Sequence, residues 1–547
     1  MVFKRLLSRM FVPLAVGMIF FAYAGTLLPN PPLRWNSPDE TANAFFIRLF
    51  AEKGGLSVFE PLNFVVGDTI HPRSIAVVNG YLVPGSFFGL PLIYGTLARI
   101  LGAWIIPYLT PAVAVAGIFA FAALVRPAVG RGAAVLAGAL LAFHPAYWYY
   151  SARGLFPNVP FLAFAILGAY FFCRQPFSRS LEGRTPSYLS RTLDDVLGAL
   201  ALTFAVWMRP SELFWLAPSA VLIVVAFWQH FSPARLIRIV GVGILGAAFL
   251  LALNQSLYGS PFATGYNAPS DDHEIAFHAG LYPNSSGADS NPLFPFGIEP
   301  RRIAKNAWDY GLRFFWWYTL PSLGGIVFAL RDWKRGFLRR EGKAAFVVLI
   351  FVAVILGVVY GSGVFSDTPN PRTLSIGDSH ARYFLPAYVL AIPFAAFGIL
   401  RLASRVQNKA LRRGALGAVL LGIALVSGER VYWSAGEGLL AVRQTLARYE
   451  RVAAKVFELV PENGVIITDR NDKVFFPERR VVVPLRDAGT FKVLPILARR
   501  APLFYYGITL VDREFQSLNE GAFGESGLKL TRVEVFDSEA LYKVERK

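Results

Sequence analysis

The chain has 547 residues, of which 54% are hydrophobic and 16% charged, and its mean hydropathy is +0.45. Soluble globular chains carry about 25% charged residues, so a simple soluble enzyme is excluded. A disordered chain is excluded too, because it would lack bulk apolar residues. Lys and Arg number 54 against 36 Asp and Glu, a formal charge of +18. In so apolar a chain the question is which loops hold that charge, because Lys and Arg set membrane orientation.

Apolar runs of roughly 17–25 residues mark spanning helices. They fall near 11–29, 104–125, 132–150, 157–173, 196–208, 211–229, 239–257, 307–330, 344–363, 383–400 and 414–432. The first is read as an anchor rather than a cleaved signal. The single Cys173 permits no intrachain disulfide and no thiolate metal cluster.

Residues 79–101 are also apolar, but charge parity argues against a twelfth span. With the N-terminus inside and 79–101 not crossing, the loops 126–131, 174–195, 230–238, 331–343 and 401–413 all face the cytoplasm. With the N-terminus they hold 22 of the 54 Lys and Arg against five acids. A crossing at 79–101 would turn every one of those loops outward, against the positive-inside rule. Pro84, Pro91 and several glycines suit a broken or re-entrant segment. The expectation is a mainly α polytopic bundle of about eleven spans, N-terminus in and C-terminus out, with an external loop over 30–103 carrying juxtamembrane helices.

The composition changes near Trp433. Residues 434–459 read as an amphipathic helix, with Leu439, Val442, Leu446, Val452 and Val456 near helical spacing. VIITDR at 465–470, RRVVVPL at 479–485 and LFYYGITL at 503–510 read as strands, and LKLTRVEV with ALYKVER as a hairpin. This predicts a transmembrane domain over 1–433 and a small extracytoplasmic α/β domain over 434–547. The latter holds no glycine-rich phosphate loop and no paired catalytic motif, so it is expected to cover the site or contact the acceptor.

Four outer loops carry candidate chemistry. In Ser37-Pro38-Asp39-Glu40, Ser37 reads as N-cap, Pro38 as N1 and Glu40 as the N3 partner of a capping box. The functional reading makes a carboxylate there a general base or metal ligand; both hold together when Glu40 caps and Asp39 reacts. Arg209, in the turn Arg209-Pro210-Ser211-Glu212, either snorkels or offers its fork of donors to a phosphate. In the loop 258–306, Asp271, Asp272, His273 and Glu274 suggest a metal. Consecutive side chains rarely converge on one ion, so a solvated loop that orders over substrate is the plainer reading. In Gly377–Pro386, Arg382 and Tyr383 suit an interfacial anchor, or Arg382 joins Arg209 around an anionic headgroup with His380 assisting.

At these residues the chain resembles the GT-C superfamily of polytopic glycosyltransferases, most of all the family-39-type enzymes related to protein O-mannosyltransferases and aminoarabinose transferases. The matching pieces are Ser37-Pro38-Asp39-Glu40, the proline-containing segment 79–101, Arg209-Pro210, and Arg382-Tyr383-Phe384-Leu385-Pro386. Their order matches over roughly 1–432. The resemblance implies a sugar transferase of the plasma (inner) membrane, with its active site on the extracytoplasmic side. Asp39 is then the catalytic base, with Glu40 beside it, and Arg209 and Arg382 contact the phosphate of a lipid-linked donor. Many relatives carry an acid in the second external loop; here Ser151 to Asn158 supplies Asn158 instead. Arg153 then supplies a cation, and a divalent metal (Mg or Mn) at Asp39 stays open. Tyr81, Asn158, Tyr266 and Tyr383 are the expected substrate contacts.

The reaction expected is sugar transfer from a polyprenyl-phosphate donor to a glycan, lipid or protein acceptor, with inversion. A donor tail between spans would account for Phe314, Phe315, Trp316 and Trp317; an ordinary lipid-facing aromatic belt accounts for them equally. Rival readings are an envelope polysaccharide polymerase or ligase using a diphosphate-linked donor, a lipid-linked sugar transporter or flippase, and a non-catalytic assembly subunit. A transporter needs polar groups at mid-membrane, and His144 and Glu429 are the exceptions in otherwise apolar spans. Nucleic acid is not an expected partner, because the basic residues follow membrane topology.

Overall fold

A computed structural model of the chain describes residues 2–27, 33–182, 188–268, 294–365, 374–434, 436–483 and 488–547. The chain forms two compact units, one of residues 1–28, 107–248 and 281–441, the other of 29–106, 249–280 and 442–547. The expected boundary at 433/434 followed chain order; the units follow contacts, and group 29–106 with the C-terminal residues.

The first unit is helical. Its apolar helices include Val2–Ala24, Ile106–Phe143, Asn158–Glu182, Tyr188–Met208, Leu213–Ala226, Pro233–Tyr258, Trp316–Lys334, Arg340–Val359, Leu385–Ala403 and Lys409–Trp433. Each predicted run falls on one of these or on a helix adjoining it. Among the described residues five helices are long and apolar enough to cross a membrane, or up to seven if each bent pair is one span. This is a multi-pass membrane protein.

The breaks have local causes. Ile106–Phe143 turns at Gly130, whose φ is 81°; only glycine takes that conformation cheaply. Pro145–Arg153 ends at Gly154, φ 84°, and meets Asn158–Arg174 at 112°. Leu189–Met208 and Pro210–Ala226 meet at 111°, at a proline with no N–H to continue the ladder. All nine residues of Pro145–Arg153 are buried, so this short helix runs through the unit's interior. Trp316–Lys334 and Leu385–Ala403 come together at small residues. A Cβ on Gly325 would strike the Phe394 carbonyl group, and one on Gly398 would lie 2.8 Å from the Gly325 nitrogen.

The second unit is built on a five-stranded sheet, from β4 (Val465–Thr468), β5 (Arg480–Val482), β6 (Leu503–Ile508), β7 (Leu528–Phe536) and β8 (Glu539–Arg546), in the order β5-β4-β6-β8-β7. The first three strands are parallel, and β6, β8 and β7 run antiparallel. Every strand falls on a predicted run, and the predicted helix is Leu439–Leu459. A second sheet comes from β1 (Val58–Phe59), β2 (Ile75–Val78) and β3 (Tyr81–Pro84). Val66 and Ile70 join the core of the larger sheet, and Ile70 bridges to Val482. The apolar segment 79–101 is therefore a strand, a bend and the helix Gly89–Leu101. Thirteen residues rise about 20 Å, too short for the roughly 30 Å hydrocarbon core.

Candidate functional site

In the first unit, three arginines lie at helix breaks and share two aromatic rings. Arg209 stands at the 111° joint and is buried. Its guanidinium carbon lies 5.1 Å from the Tyr383 ring centroid, and that of Arg382 lies 5.3 Å from the same centroid. Arg382 is also 4.6 Å from the Phe156 centroid, and Arg153 is 5.1 Å from that ring. Arg209, Arg382 and Arg153 are thus threaded along Tyr383 and Phe156. Guanidinium faces are weakly hydrated and stack on rings, so such a ladder holds cations where water is scarce. Non-helical backbone at membrane depth is tolerated only when buried in protein or lining a polar cavity. Arg209 and all of Pro145–Arg153 at these joints are buried in protein.

Partners fix each fork. Arg209 donates from Nε to Glu212 Oε1 at 2.9 Å, and its Nη2 lies 2.6 Å from the same oxygen. Tyr360 donates to Glu212 Oε1 at 2.9 Å, Trp215 Nε1 donates to Oε2, and Tyr360 stacks on Tyr383 at 4.5 Å. Arg382 donates to Ser379 Oγ at 2.8 Å, and Arg153 to the Tyr149 hydroxyl at 2.8 Å. Glu212 was named in sequence only as the end of the Arg209 turn, not as a partner of Arg209; Phe156, Trp215 and Tyr360 carried no signal that separated them from other aromatics.

Asn158 Nδ2 reaches the Arg382 carbonyl at 3.5 Å, and its buried Oδ1 has no hydrogen-bond partner among the described residues. This acceptor beside the arginine ladder suits a hydroxyl donor. His380 is placed differently from expectation. Its Nδ1 is 2.8 Å from Asp378 Oδ1, Asn306 Nδ2 donates to its Nε2 at 3.1 Å, and its ring stacks on Tyr310. Both ring nitrogens are thus engaged within the unit.

Asp39 lies in the second unit. The predicted capping box is present: Ser37 Oγ accepts from the Asp39 amide at 3.2 Å, and the Ser37 amide donates to Glu40 Oε2 at 3.2 Å. Glu40 is buried in that structural role. Asp39, half-buried, accepts at Oδ1 from Ser74 Oγ at 2.7 Å. Ser74 has φ 63°, a left-handed conformation rare for a non-glycine residue. Gly85 donates to its carbonyl at 3.1 Å, and a Cβ on Gly85 would lie 2.6 Å from the Ser74 carbonyl carbon.

The tyrosines of this unit separate. Tyr266 packs edge-on against Phe87 at 5.0 Å, and Gly265 lies against the backbone of Pro84 to Ser86, on the Asp39 side of the β2–β3 hairpin. Tyr81 pairs with Val78 at the hairpin's other end, about 13 Å from Ser74 by strand rise. It clusters there with Phe59 and is not brought to Asp39. Among the described residues no group of three or more His, Cys, Asp or Glu could hold a metal ion. Asp271, Asp272, His273 and Glu274 lie outside the described residues.

Of the four aromatics expected near the eighth span, Phe314, Phe315 and Trp317 are buried and Trp316 is exposed. A lipid-facing belt therefore fits Trp316 alone. Phe315 packs on the buried His144, and Arg430 lies 4.9 Å over Phe314.

No family model matches the chain. No curated protein matches it either. Among solved structures it is similar to ArnT from Cupriavidus metallidurans bound to undecaprenyl phosphate. The identity is 12%, over 98% of this chain and 97% of that one, with a TM-score of 0.55. The apo state of the same protein gives 13%, 98% and 98%, and 0.54. The oligosaccharyltransferase AglB from Archaeoglobus fulgidus, in complex with an inhibitory peptide and a dolichol-phosphate, gives 11% identity over 92% of this chain and 70% of that one, at 0.48. At these identities the likeness is one of fold. Over 98% of its length, the chain shares the fold of these ArnT structures.

Proposed function

We propose that the protein transfers a sugar from a polyprenyl-phosphate donor to an acceptor hydroxyl at the outer face of the plasma membrane. The observation that carries this reading is the ladder of Arg209, Arg382 and Arg153 over Tyr383 and Phe156, in a fold shared with a protein solved with undecaprenyl phosphate. The acceptor oxygen attacks the anomeric carbon, and the carbon–oxygen bond to phosphate breaks with its electron pair moving to the phosphate. Direct displacement inverts the anomeric centre. The leaving phosphate gains a full negative charge, and preorganised cations stabilise such developing charge. Arg382 and Arg153, with Arg209 set by Glu212, supply them. Asp39 takes the acceptor proton, and Asn158, Tyr266 and Tyr383 contact substrate.

The test is purified protein in lipid nanodiscs with a panel of polyprenyl-phosphate sugars, with and without chelator. Transfer or donor consumption is expected from at least one member. Arg382→Ala is expected to weaken undecaprenyl-phosphate binding about 10- to 100-fold, the size of a lost charged hydrogen bond or two, with the protein still folded. Binding by Arg382→Ala equal to wild type would remove the ladder from the site. Turnover of diphosphate-linked donors alone would favour the polymerase or ligase reading.

A further inference from the structure

The C-terminal sheet carries no catalytic motif, yet Asp472 and Lys473 reach both backbone segments that set the position of Asp39. On one side, Asp472 is fully buried and accepts three hydrogen bonds from Arg73. The Arg73 amide donates to Oδ2 at 2.8 Å, and Nε and Nη2 donate to Oδ1 at 2.9 and 2.6 Å. The same Nη2 donates to the Arg470 carbonyl at 2.6 Å. Arg73 immediately precedes Ser74, whose hydroxyl holds Asp39 Oδ1. On the other side, Lys473 Nζ donates to the Asn36 carbonyl at 2.6 Å, one residue before the Ser37 cap. Arg34 Nη1 lies 2.6 Å from Glu478 Oε2.

These anchors are not scattered over the loop. Each grips a residue within five positions of Asp39, or the neighbour of its hydrogen-bond donor. A buried carboxylate needs a full set of partners, and a planar fork onto one carboxylate fixes direction as well as distance. Ser74, held at positive φ and pressed by Gly85, has little freedom to move independently of Arg73.

We propose that the C-terminal domain is a positioning device for Asp39. Asp472 and Lys473 hold segments 73–74 and 34–37 so that the carboxylate keeps its direction toward the acceptor. The inference rests on Asp39 being the base. Asp472, Lys473 and Ser74 are positioning residues, acting through Asp39. Misplacing a reacting group by about 1 Å can cost about 100-fold in rate, so a domain with no chemistry of its own can decide turnover.

The experiment uses the full chain in nanodiscs and the undecaprenyl-phosphate sugar that wild type consumes. Asp472→Asn and Ser74→Gly are compared with Asp39→Asn; glycine removes the Ser74 hydroxyl while accepting its positive φ. Both positioning variants are expected to lose about tenfold in kcat while binding undecaprenyl phosphate with unchanged Kd and stoichiometry. Hydrogen exchange in Asp472→Asn is expected to quicken over 33–42 and 70–76 and stay unchanged over β7 and β8. Damage to the fold alone would instead lower the binding stoichiometry; if Asp472→Asn does so, Ser74→Gly decides. Inactive Asp39→Asn alongside Ser74→Gly and Asp472→Asn within twofold of wild-type turnover overturns the inference and leaves the base in place. Full turnover by Asp39→Asn overturns the base, and this inference with it.

Discussion

Arg209 is a cation held among aromatic rings, and Glu212 is what makes that tolerable. The acid accepts two nitrogens of the guanidinium and the hydroxyl of Tyr360, and is itself only 2% exposed. Removing one partner of such a pair strands the other, at about 3–5 kcal/mol. Glu212→Ala is therefore expected to lower the thermal inactivation midpoint in detergent by several degrees, and Glu212→Gln, which still accepts from Tyr360, by less. A Glu212→Ala midpoint equal to that of wild type would mean Arg209 does not depend on the pair. At this scale the sequence was legible where partners are three or four positions apart. The Ser37–Glu40 box is such a local spacing and was expected; the Arg209–Glu212 pair is equally local but was not read. Tyr360, 148 positions beyond Glu212, and Ser74, 35 beyond Asp39, were not legible, because only the fold brings them close. For His380, read beside Arg382 as assisting at an anionic headgroup, the contact with Asn306, 74 positions away, was likewise not legible.

At the scale of elements, hydropathy located helices well and short strands poorly. Each long apolar run became a helix because it had the length to make one. β1, β2 and β3 have only two to four residues each, and β3 runs into the apolar helix Gly89–Leu101, so the whole stretch reads as one hydrophobic segment. Charge parity still argued against a span there, because parity depends on the basic loops downstream rather than on the segment itself. Helix contacts were less visible. Gly325 in Trp316–Lys334 and Gly398 in Leu385–Ala403 look like ordinary glycines in apolar sequence, yet they let two backbones touch. Small residues at such contacts drive packing between helices in lipid, where hydrophobic burial offers no advantage. Gly325→Leu is expected to separate the pair, reducing folded yield and lowering the inactivation midpoint. Gly324→Leu, at a position where an added Cβ meets nothing within 4 Å, is expected to be close to neutral. Equal behaviour of the two variants would rule out the close contact.

The whole molecule raises the question of how +18 charges are distributed about a membrane. Lys409–Trp433 has 25 residues and rises about 38 Å, more than the roughly 30 Å hydrocarbon core. Its two ends must then lie on opposite sides if it crosses. Residues 401–413 at its start carry five Lys and Arg and no acid, the composition of a cytoplasmic loop. The C-terminal domain is nearly balanced, with 18 Lys and Arg against 16 Asp and Glu over 434–547, and exerts little orienting pull. A reporter active only in the cytoplasm is accordingly expected to work at Lys409 and fail at Glu462, with an externally active reporter giving the reverse. An external signal at Lys409 would invert the proposed orientation. Reporters agreeing at both positions would mean that Lys409–Trp433 does not cross. Neutralising Arg401, Arg405, Arg412 and Arg413 together should weaken the bias and yield mixed orientation, because orientation follows the count of basic residues near the ends of spans rather than the net charge of the chain.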